Sequence, residues 1–418
     1  MDENIKVLYD ISVLGLGGLW PFSRTGINRV IEEMLYALKA SGQCDIFYCA
    51  NNNSWYWYFA TEYLRKNPHF NASDRLSGNE WLKVTNRIHG LLAKTKNDAI
   101  ERLGARALNV IEPYLLDPKA LRDAEIFHLG FFYPLPSQIK NAKHLKKFIF
   151  VHDIIPILYP HFSSRDATAT LMYNLEETHK NSWFLCNSHY TKKDLCEYLP
   201  ILDPARVFVL HLGASELFYP CHEIDKKKHV LQKYGIFDKP YIISVCTLDP
   251  RKNLVHLIRC FRDLVRQEHL EDLRLVLVGR RADGYDEVFN EVEGEMKDKI
   301  VVTGYVEDEE LAPLYSNAIA FVTPSLYEGF SLPTLEAMQC GVPVITSNTT
   351  VFPEVVADAG IMVDPKDKDA LCQGILKVYK DETLRKSLSG KSIERSKMFS
   401  WTKCAHELVN AYKTVLGK

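Results

Sequence analysis

Paired cysteines are the first thing this sequence lacks. Its ten cysteines include no C-x2-C pair and follow no regular spacing, which removes the usual zinc and dithiol patterns. Cys246, Cys260 and Cys340 stand among apolar neighbours, as small reduced core residues do. A disulfide framework is not expected in a chain of this size without a secretory signal. Long apolar runs are missing too: Phe148–Val151 and Ile154–Leu158 are interrupted by His152-Asp153 and are too short to span a bilayer. The opening Met1-Asp2-Glu3-Asn4 is acidic and runs straight into a strand pattern. No export signal is read there, and a cytoplasmic location is expected. An excess of one charge is also absent. With 51 Lys and Arg against 53 Asp and Glu, the net charge of −2 gives no whole-molecule preference for nucleic acid. No internal repeat or low-complexity tract stands out.

What is present is a chain of 418 residues, 46% hydrophobic and 25% charged, which suits two globular domains of about 150–200 residues each. Short β-branched runs alternate with helical patterns. One series comprises Ile5–Leu8, Ile126–His128, Phe148–Val151, Trp183–Cys186 and Val207–Leu210; a second comprises Tyr241–Val245, Leu273–Val278, Ile300–Val302, Ala320–Val322 and Pro343–Ile345. Such alternation predicts an α/β protein with parallel sheets covered on both faces. Leu217–Lys239, with Pro220 and the run Asp225-Lys226-Lys227-Lys228, reads as a linker and a short helix, the charges on a solvated loop. Beyond Trp401, the apolar positions Ala405, Leu408, Val409 and Tyr412 recur at helical spacing. The expected organisation is a first Rossmann-like domain over residues 1–218 and a second over 219–399. Residues 400–418 return to the first domain. Two doubly wound domains would face a cleft, where ligands meet the carboxyl ends of strands.

Four features of the second half fit one ligand. Asp249-Pro250-Arg251-Lys252-Asn253 follows a buried strand and precedes the helix pattern Leu254–Arg266. Two cations at a helix start make an anion site, although a capped helix with exposed basic residues has the same look. Gly279-Arg280-Arg281 follows the next strand, where a glycine lets backbone approach a ligand closely. Gly304-Tyr305-Val306 ends another strand, as a wall for a nucleotide base or as an ordinary strand end. Finally, Glu328-Gly329-Phe330-Ser331-Leu332-Pro333-Thr334-Leu335-Glu336 puts a loop of free N–H groups before a helix whose first turn holds Pro333. Glu328 stands before the loop and Glu336 one turn beyond it. Two carboxylates of that kind suit sugar or ribose hydroxyls, which donate to both oxygens.

In the first half, Gly15-Leu16-Gly17-Gly18 reads as a glycine-rich loop, followed by Arg24-Thr25-Gly26 opening a helix that carries Arg29 and runs to Leu38. His152-Asp153 ends a buried strand, where both side chains need hydrogen-bond partners. Ser188 and Thr191 look like helix caps. Residues 51–125 match nothing specific. The cluster Trp55–Phe59 there reads either as core or as acceptor surface. Trp81 to Ala107 carries Lys83, Arg87, Lys94, Lys96, Arg102 and Arg106 against only Asp98 and Glu101. With Val84, Ile88, Leu91 and Leu92 interleaved, that stretch is either a solvated helix or a contact with anionic lipid on the inner leaflet.

The run E-G-F-S-L-P-T-L-E-A, followed by Gly341-Val342-Pro343-Val344-Ile345, resembles the E-x7-E signature of family 4 (group 1) glycosyltransferases. The Asp249–Asn253 segment is similar to the phosphate-binding loop of that family's bacterial mannosyl- and rhamnosyltransferases. The resemblance covers nearly all of residues 240–365. It implies the GT-B fold and a retaining transfer of a hexose from a nucleotide-diphospho-sugar. The acceptor would be a glycan or lipid-linked saccharide in polysaccharide biosynthesis. It implies that Lys252 and Arg251 bind the donor diphosphate, with Gly26 and the backbone of Phe330, Ser331 and Leu332. Glu328 would lie at the transferred sugar, with His152 near it, and Asp153 would orient the acceptor. Glu336 would hold the ribose, in a nucleoside site with Gly279, Arg280, Tyr305 and Val306. Thr247 stands where many relatives carry Arg, which leaves Arg251 as the substitute. No D-x-D triplet stands where a divalent ion would be expected. Metal independence is therefore expected, with no cofactor beyond the sugar-nucleotide co-substrate. GDP-mannose is the favoured donor, ahead of UDP-sugars and dTDP-rhamnose. A sugar-nucleotide 2-epimerase and a non-catalytic binding protein of the same fold are the alternatives.

Overall fold

The computed structural model of the chain describes residues 3–19, 26–51, 54–71, 74–95, 115–131, 133–236, 239–281, 286–293 and 296–418. It divides into two compact units. The first comprises Met1–Asn187, Thr191–His211 and Trp401–Lys418, and the second Ser188–Tyr190 and Leu212–Ser400.

In the first unit, strands β1 (Ile5–Asp10), β2 (Cys44–Cys49), β3 (Ile126–Leu129), β4 (Lys146–Val151), β5 (Ser182–Cys186) and β6 (Val207–Val209) form one sheet in the order β2-β1-β3-β4-β5-β6. All its pairings are parallel. Val7, Leu8, Ile126, Phe127, Phe148 and Phe150 are at most 1% exposed, as strands covered by helices on both faces must be. The helix Trp401–Leu416 packs in this unit, burying Ala405, Leu408, Val409 and Tyr412. The Tyr412 hydroxyl is hydrogen-bonded to His128 Nδ1 at 2.6 Å. This is the helix that the apolar spacing beyond Trp401 predicts.

In the second unit, β7 (Tyr241–Val245), β8 (Arg274–Val278), β9 (Ile300–Gly304), β10 (Ala320–Thr323), β11 (Val344–Ser347) and β12 (Gly360–Val363) form another parallel sheet, ordered β12-β11-β10-β7-β8-β9. Renumbered from β7, this is the 3-2-1-4-5-6 order of a dinucleotide-binding sheet. The helix Leu254–Gln267 buries Leu254, Leu257, Ile258, Phe261, Leu264 and Val265 at helical spacing, which closes one face of the core.

Several sequence readings are corrected here. The Gly15–Gly18 segment is not a loop but part of helix α1 (Ser12–Leu19), followed by helix α2 (Gly26–Ala40). A Cβ on Gly15 would stand 2.6 Å from the backbone nitrogen of Ala60 in helix α3 (Ser54–Lys66), so the glycine lets two helices touch. The charges of Asp225–Lys228 lie on the helix Ile224–Lys233, not on a loop. Two strands escaped the sequence reading, β2 and β12, and both are at sheet edges. Edge strands are covered less, so Cys44–Cys49 is largely half-exposed and lacks the continuous apolar run of a central strand.

Candidate functional site

In the second unit, β7 and β10 are neighbours although β8 and β9 lie between them in sequence. At such a point the chain leaves adjacent strands in opposite directions, and the loops at the carboxyl ends part around a crevice. Both conspicuous motifs fall there. Asp249–Asn253 follows β7, and the segment carrying Glu328 follows β10.

The first loop is held by its own chemistry. Asp249 Oδ1 accepts the N–H of Arg251 at 3.0 Å, shaping the tight turn Pro250–Lys252. Asn253 sits at φ 57°, a left-handed conformation that Asn tolerates. Its amide donates to Pro324 O at 3.1 Å and Pro365 O at 2.8 Å, tying the loop to the exit of β10. Leu326 N–H donates to Arg251 O at 2.9 Å. The two loops thus form one piece.

That piece holds a nearly buried charge cluster. Lys252 Nζ donates to Glu328 Oε1 at 2.5 Å, and Arg251 Nη1 to Glu328 Oε2 at 2.8 Å and to Tyr327 O at 2.7 Å. Side-chain exposure is 8% for Glu328, 11% for Lys252 and 17% for Arg251. Burial pushes the Glu328 carboxyl up, but the charges of Lys252 and Arg251 outweigh it and hold the pKa at about 2. Both cations reach one carboxylate.

Beyond Glu328, Ser331 adopts φ 66° and caps the helix Leu332–Gln339 without a side-chain cap hydrogen bond. The first N–H groups of a helix have no partner within it. Phe330 and Leu332 are buried, which leaves the backbone as what they can offer a ligand. Glu336, one turn further, is 2% exposed and accepts from the Tyr315 hydroxyl at 3.2 Å. The two glutamates therefore differ in kind: Glu328 is paired with two cations, and Glu336 is bonded to a phenol.

The remaining positions behave differently from one another. Gly279 has φ +141°, and a Cβ there would stand 1.7 Å from Cys246 O. Its smallness serves the closeness of two strand ends, a structural reason besides any approach of ligand. The carbonyl of Arg280 accepts the N–H of Leu248 at 2.8 Å. Tyr305 is 43% exposed, whereas Val306 is 4% exposed and belongs to the core. Within the second unit the Ser188 hydroxyl donates to Gly329 O at 2.8 Å.

In the first unit, His152 is 5% exposed, with Nε2 2.8 Å from Gly130 O. A carbonyl only accepts, so Nε2 carries the proton and Nδ1 is left as an acceptor. Burial pushes the imidazole down to about 4, which makes it neutral at physiological pH. Asp153 Oδ1 accepts the N–H of Ile155 at 3.0 Å, opening the short helix Ile155–Leu158. Gly26 begins α2 with open space around its Cβ position.

The 226–395 stretch matches the model of the family described as "Glycosyl transferases group 1". O-antigen chain mannosyltransferase B of Escherichia coli is 35% identical over 314 residues, spanning 73% of this chain and 80% of that protein. The chain belongs to the group 1 glycosyltransferases. Serotype-specific mannosyltransferase WbdA of Escherichia coli is 27% identical over 270 residues, 63% of this chain but only 33% of that longer protein. Sucrose-phosphate synthase from Thermosynechococcus elongatus superposes with a TM-score of 0.65 at 20% identity, covering 99% of this glycosyltransferase and all of that chain. The shared fold is GT-B.

One residue of this glycosyltransferase that sequence reasoning passed over is Asp10, at the carboxyl end of β1. It lies beside β3, where the first sheet has its own reversal of strand order. Its carboxylate accepts the N–H and hydroxyl of Ser12 at 3.0 and 3.2 Å. Burial pushes its pKa up to about 7 against those two hydrogen bonds. An Asp closing a buried strand was the available signal, of the same kind that drew attention to His152-Asp153. Arg24 and residues 96–107 of the basic stretch lie outside the described residues.

Proposed function

We propose that this glycosyltransferase transfers mannose from GDP-mannose to a hydroxyl of a growing polysaccharide or lipid-linked saccharide, with retention at the anomeric carbon. The observation that carries the reading is the Arg251–Glu328–Lys252 cluster at the switch point of the second sheet. Cleaving the anomeric C–O bond leaves negative charge on a diphosphate. Two preplaced cations and the free N–H groups of Phe330, Ser331 and Leu332 stabilise that charge as it develops, without the reorganisation that water would need. Lys252 and Arg251 are the residues for the diphosphate, with the Gly26 helix start adding backbone N–H groups. Glu328, fully ionised, accepts from hydroxyls of the transferred sugar. His152, neutral and with Nδ1 unprotonated, serves as an acceptor rather than a proton donor. Glu336 takes the ribose hydroxyls, beside Gly279, Arg280, Tyr305 and the Val306 backbone, and Asp153 orients the acceptor. With the diphosphate charge met by side chains, the reaction runs without a divalent metal. The leaving phosphate oxygen takes the acceptor's proton on the face the nucleotide leaves.

The choice of mannose rests on the names of two relatives, an O-antigen chain mannosyltransferase and a serotype-specific mannosyltransferase. Thermal unfolding with GDP, UDP and dTDP tests the base. A ligand at about a hundred times its Kd stabilises by about 2.7 kcal/mol, so GDP should raise the midpoint by several degrees and the others little. A larger shift with UDP or dTDP would reassign the donor. Transfer should persist in excess EDTA and give an α-mannosyl product from the α-linked donor. Sugar-nucleotide turnover without any acceptor would instead favour the epimerase.

A further inference from the structure

Helix α4 (Glu80–Leu92) has two apolar faces. The inner one buries Leu82, Thr85 and His89, with His89 Nε2 2.8 Å from the hydroxyl of Ser54 on α3. Asn86 adds a hydrogen bond from its amide to the Thr61 hydroxyl of α3 at 2.9 Å. Next to this face, not opposite it, Trp81, Val84 and Leu91 are 53%, 43% and 65% exposed, apolar side chains that a surface helix normally covers. Together with half-buried Ile88 they recur at spacings of three, four and three, one continuous stripe. Beside it run Lys83, Arg87 and Lys94, all exposed. Glu80 is the only acid on the helix, and its contact with Lys83 at 3.3 Å joins two side chains at least 73% exposed, which contributes little.

We propose that the outward face of α4 docks on an anionic lipid bilayer. The stripe supplies apolar side chains, with a tryptophan suited to the headgroup level. The lysines and arginine flanking it meet lipid phosphate and keep their charge in the aqueous layer. The contrast with another exposed apolar pair in the same unit supports this choice. Met172 and Tyr173 project from the helix Arg165–Thr178, but exposed Glu176 would repel the same surface, and Lys140 beside them is already paired with Glu177 at 3.0 Å. The proposal is independent of the donor reading. It adds that an acceptor carried on a lipid would be met at the membrane surface.

Sedimentation of the full chain with vesicles is the test. The protein should pellet with phosphatidylcholine vesicles containing phosphatidylglycerol, less so at high salt, and stay in solution with phosphatidylcholine alone. The variants Trp81→Ser/Leu91→Ser and Arg87→Gln/Lys94→Gln should each partition at least tenfold more weakly. Both should keep the wild-type unfolding midpoint and transfer to a water-soluble acceptor, because none of these side chains helps anchor the helix. Wild-type protein that ignores anionic vesicles overturns the proposal, as do folded variants that pellet like wild type. Equal binding to both vesicle types would overturn its electrostatic half.

Discussion

Glu328 is the residue on which the proposed chemistry turns, and its environment fixes what it can be. A carboxyl at 6% exposure would normally be driven toward its neutral form, yet Lys252 and Arg251 hold it near 2. Its folded pKa lies below the unfolded value of about 4.3, so its stabilising contribution is present above that value and lost as pH falls through about 2. Lys252→Ala should move the acid loss upward, since one of the two opposing charges disappears. The same substitution should weaken GDP binding about tenfold or more in calorimetry, the scale of a charge-assisted hydrogen bond of about 1.5–3 kcal/mol. Asp10 has the opposite linkage. Its pKa is raised to about 7, so the folded state holds a proton that the unfolded state releases, and stability falls as pH rises from about 4 to 7. Asp10→Asn should therefore be more stable than wild type at pH 8, on the order of 2 kcal/mol, and should lose the advantage at pH 4. Denaturant titrations at the two pH values check this.

At the scale of elements, glycines separate packing from ligand binding. Gly279→Ala should destabilise by about 3 kcal/mol or more, because its Cβ would meet Cys246 O at 1.7 Å on a positive-φ backbone. Gly26→Ala meets nothing within 4 Å. It should leave the denaturation curve nearly unchanged and lower kcat/KM only if backbone at that helix start touches the diphosphate. Much of this layer was legible in sequence. Ten of the twelve described strands announce themselves as apolar runs, because central parallel strands are buried on both faces. The Pro333 helix start and the two glutamates follow from local spacing. The Gly15–Gly18 helix did not, since Gly15 answers to Ala60, far along the chain. Nor could spacing reveal that Arg251 and Lys252 share one carboxylate. That pairing depends on β7 and β10 being neighbours, which only the three-dimensional strand order supplies.

At the scale of the whole molecule, the described buried histidines set the acid limit. Burial pushes His89 and His152 down to about 4 and His128 to about 3. Each stays neutral in the fold while its unfolded counterpart takes up a proton near 6.5. The unfolded state then binds more protons, and stability should fall as pH drops from about 6.5 to 4. Three described histidines act in that direction and the Asp10 carboxyl acts against them, so these four groups together give a positive slope. A flat stability profile between pH 4 and 6.5 would contradict this. The central claim, that the Arg251–Glu328–Lys252 cluster is the donor site, has a direct test in Glu328→Ala. Removing the carboxylate takes from Lys252 its ion-pair partner and leaves Arg251 with Asp249 at 3.6 Å and the Tyr327 carbonyl, a loss of about 3 kcal/mol, which a bound diphosphate can make good. Transfer from GDP-mannose should fall at least a hundredfold, while GDP still binds and restores much of the lost unfolding midpoint. Undiminished transfer, or GDP that no longer stabilises the folded variant, would contradict the account.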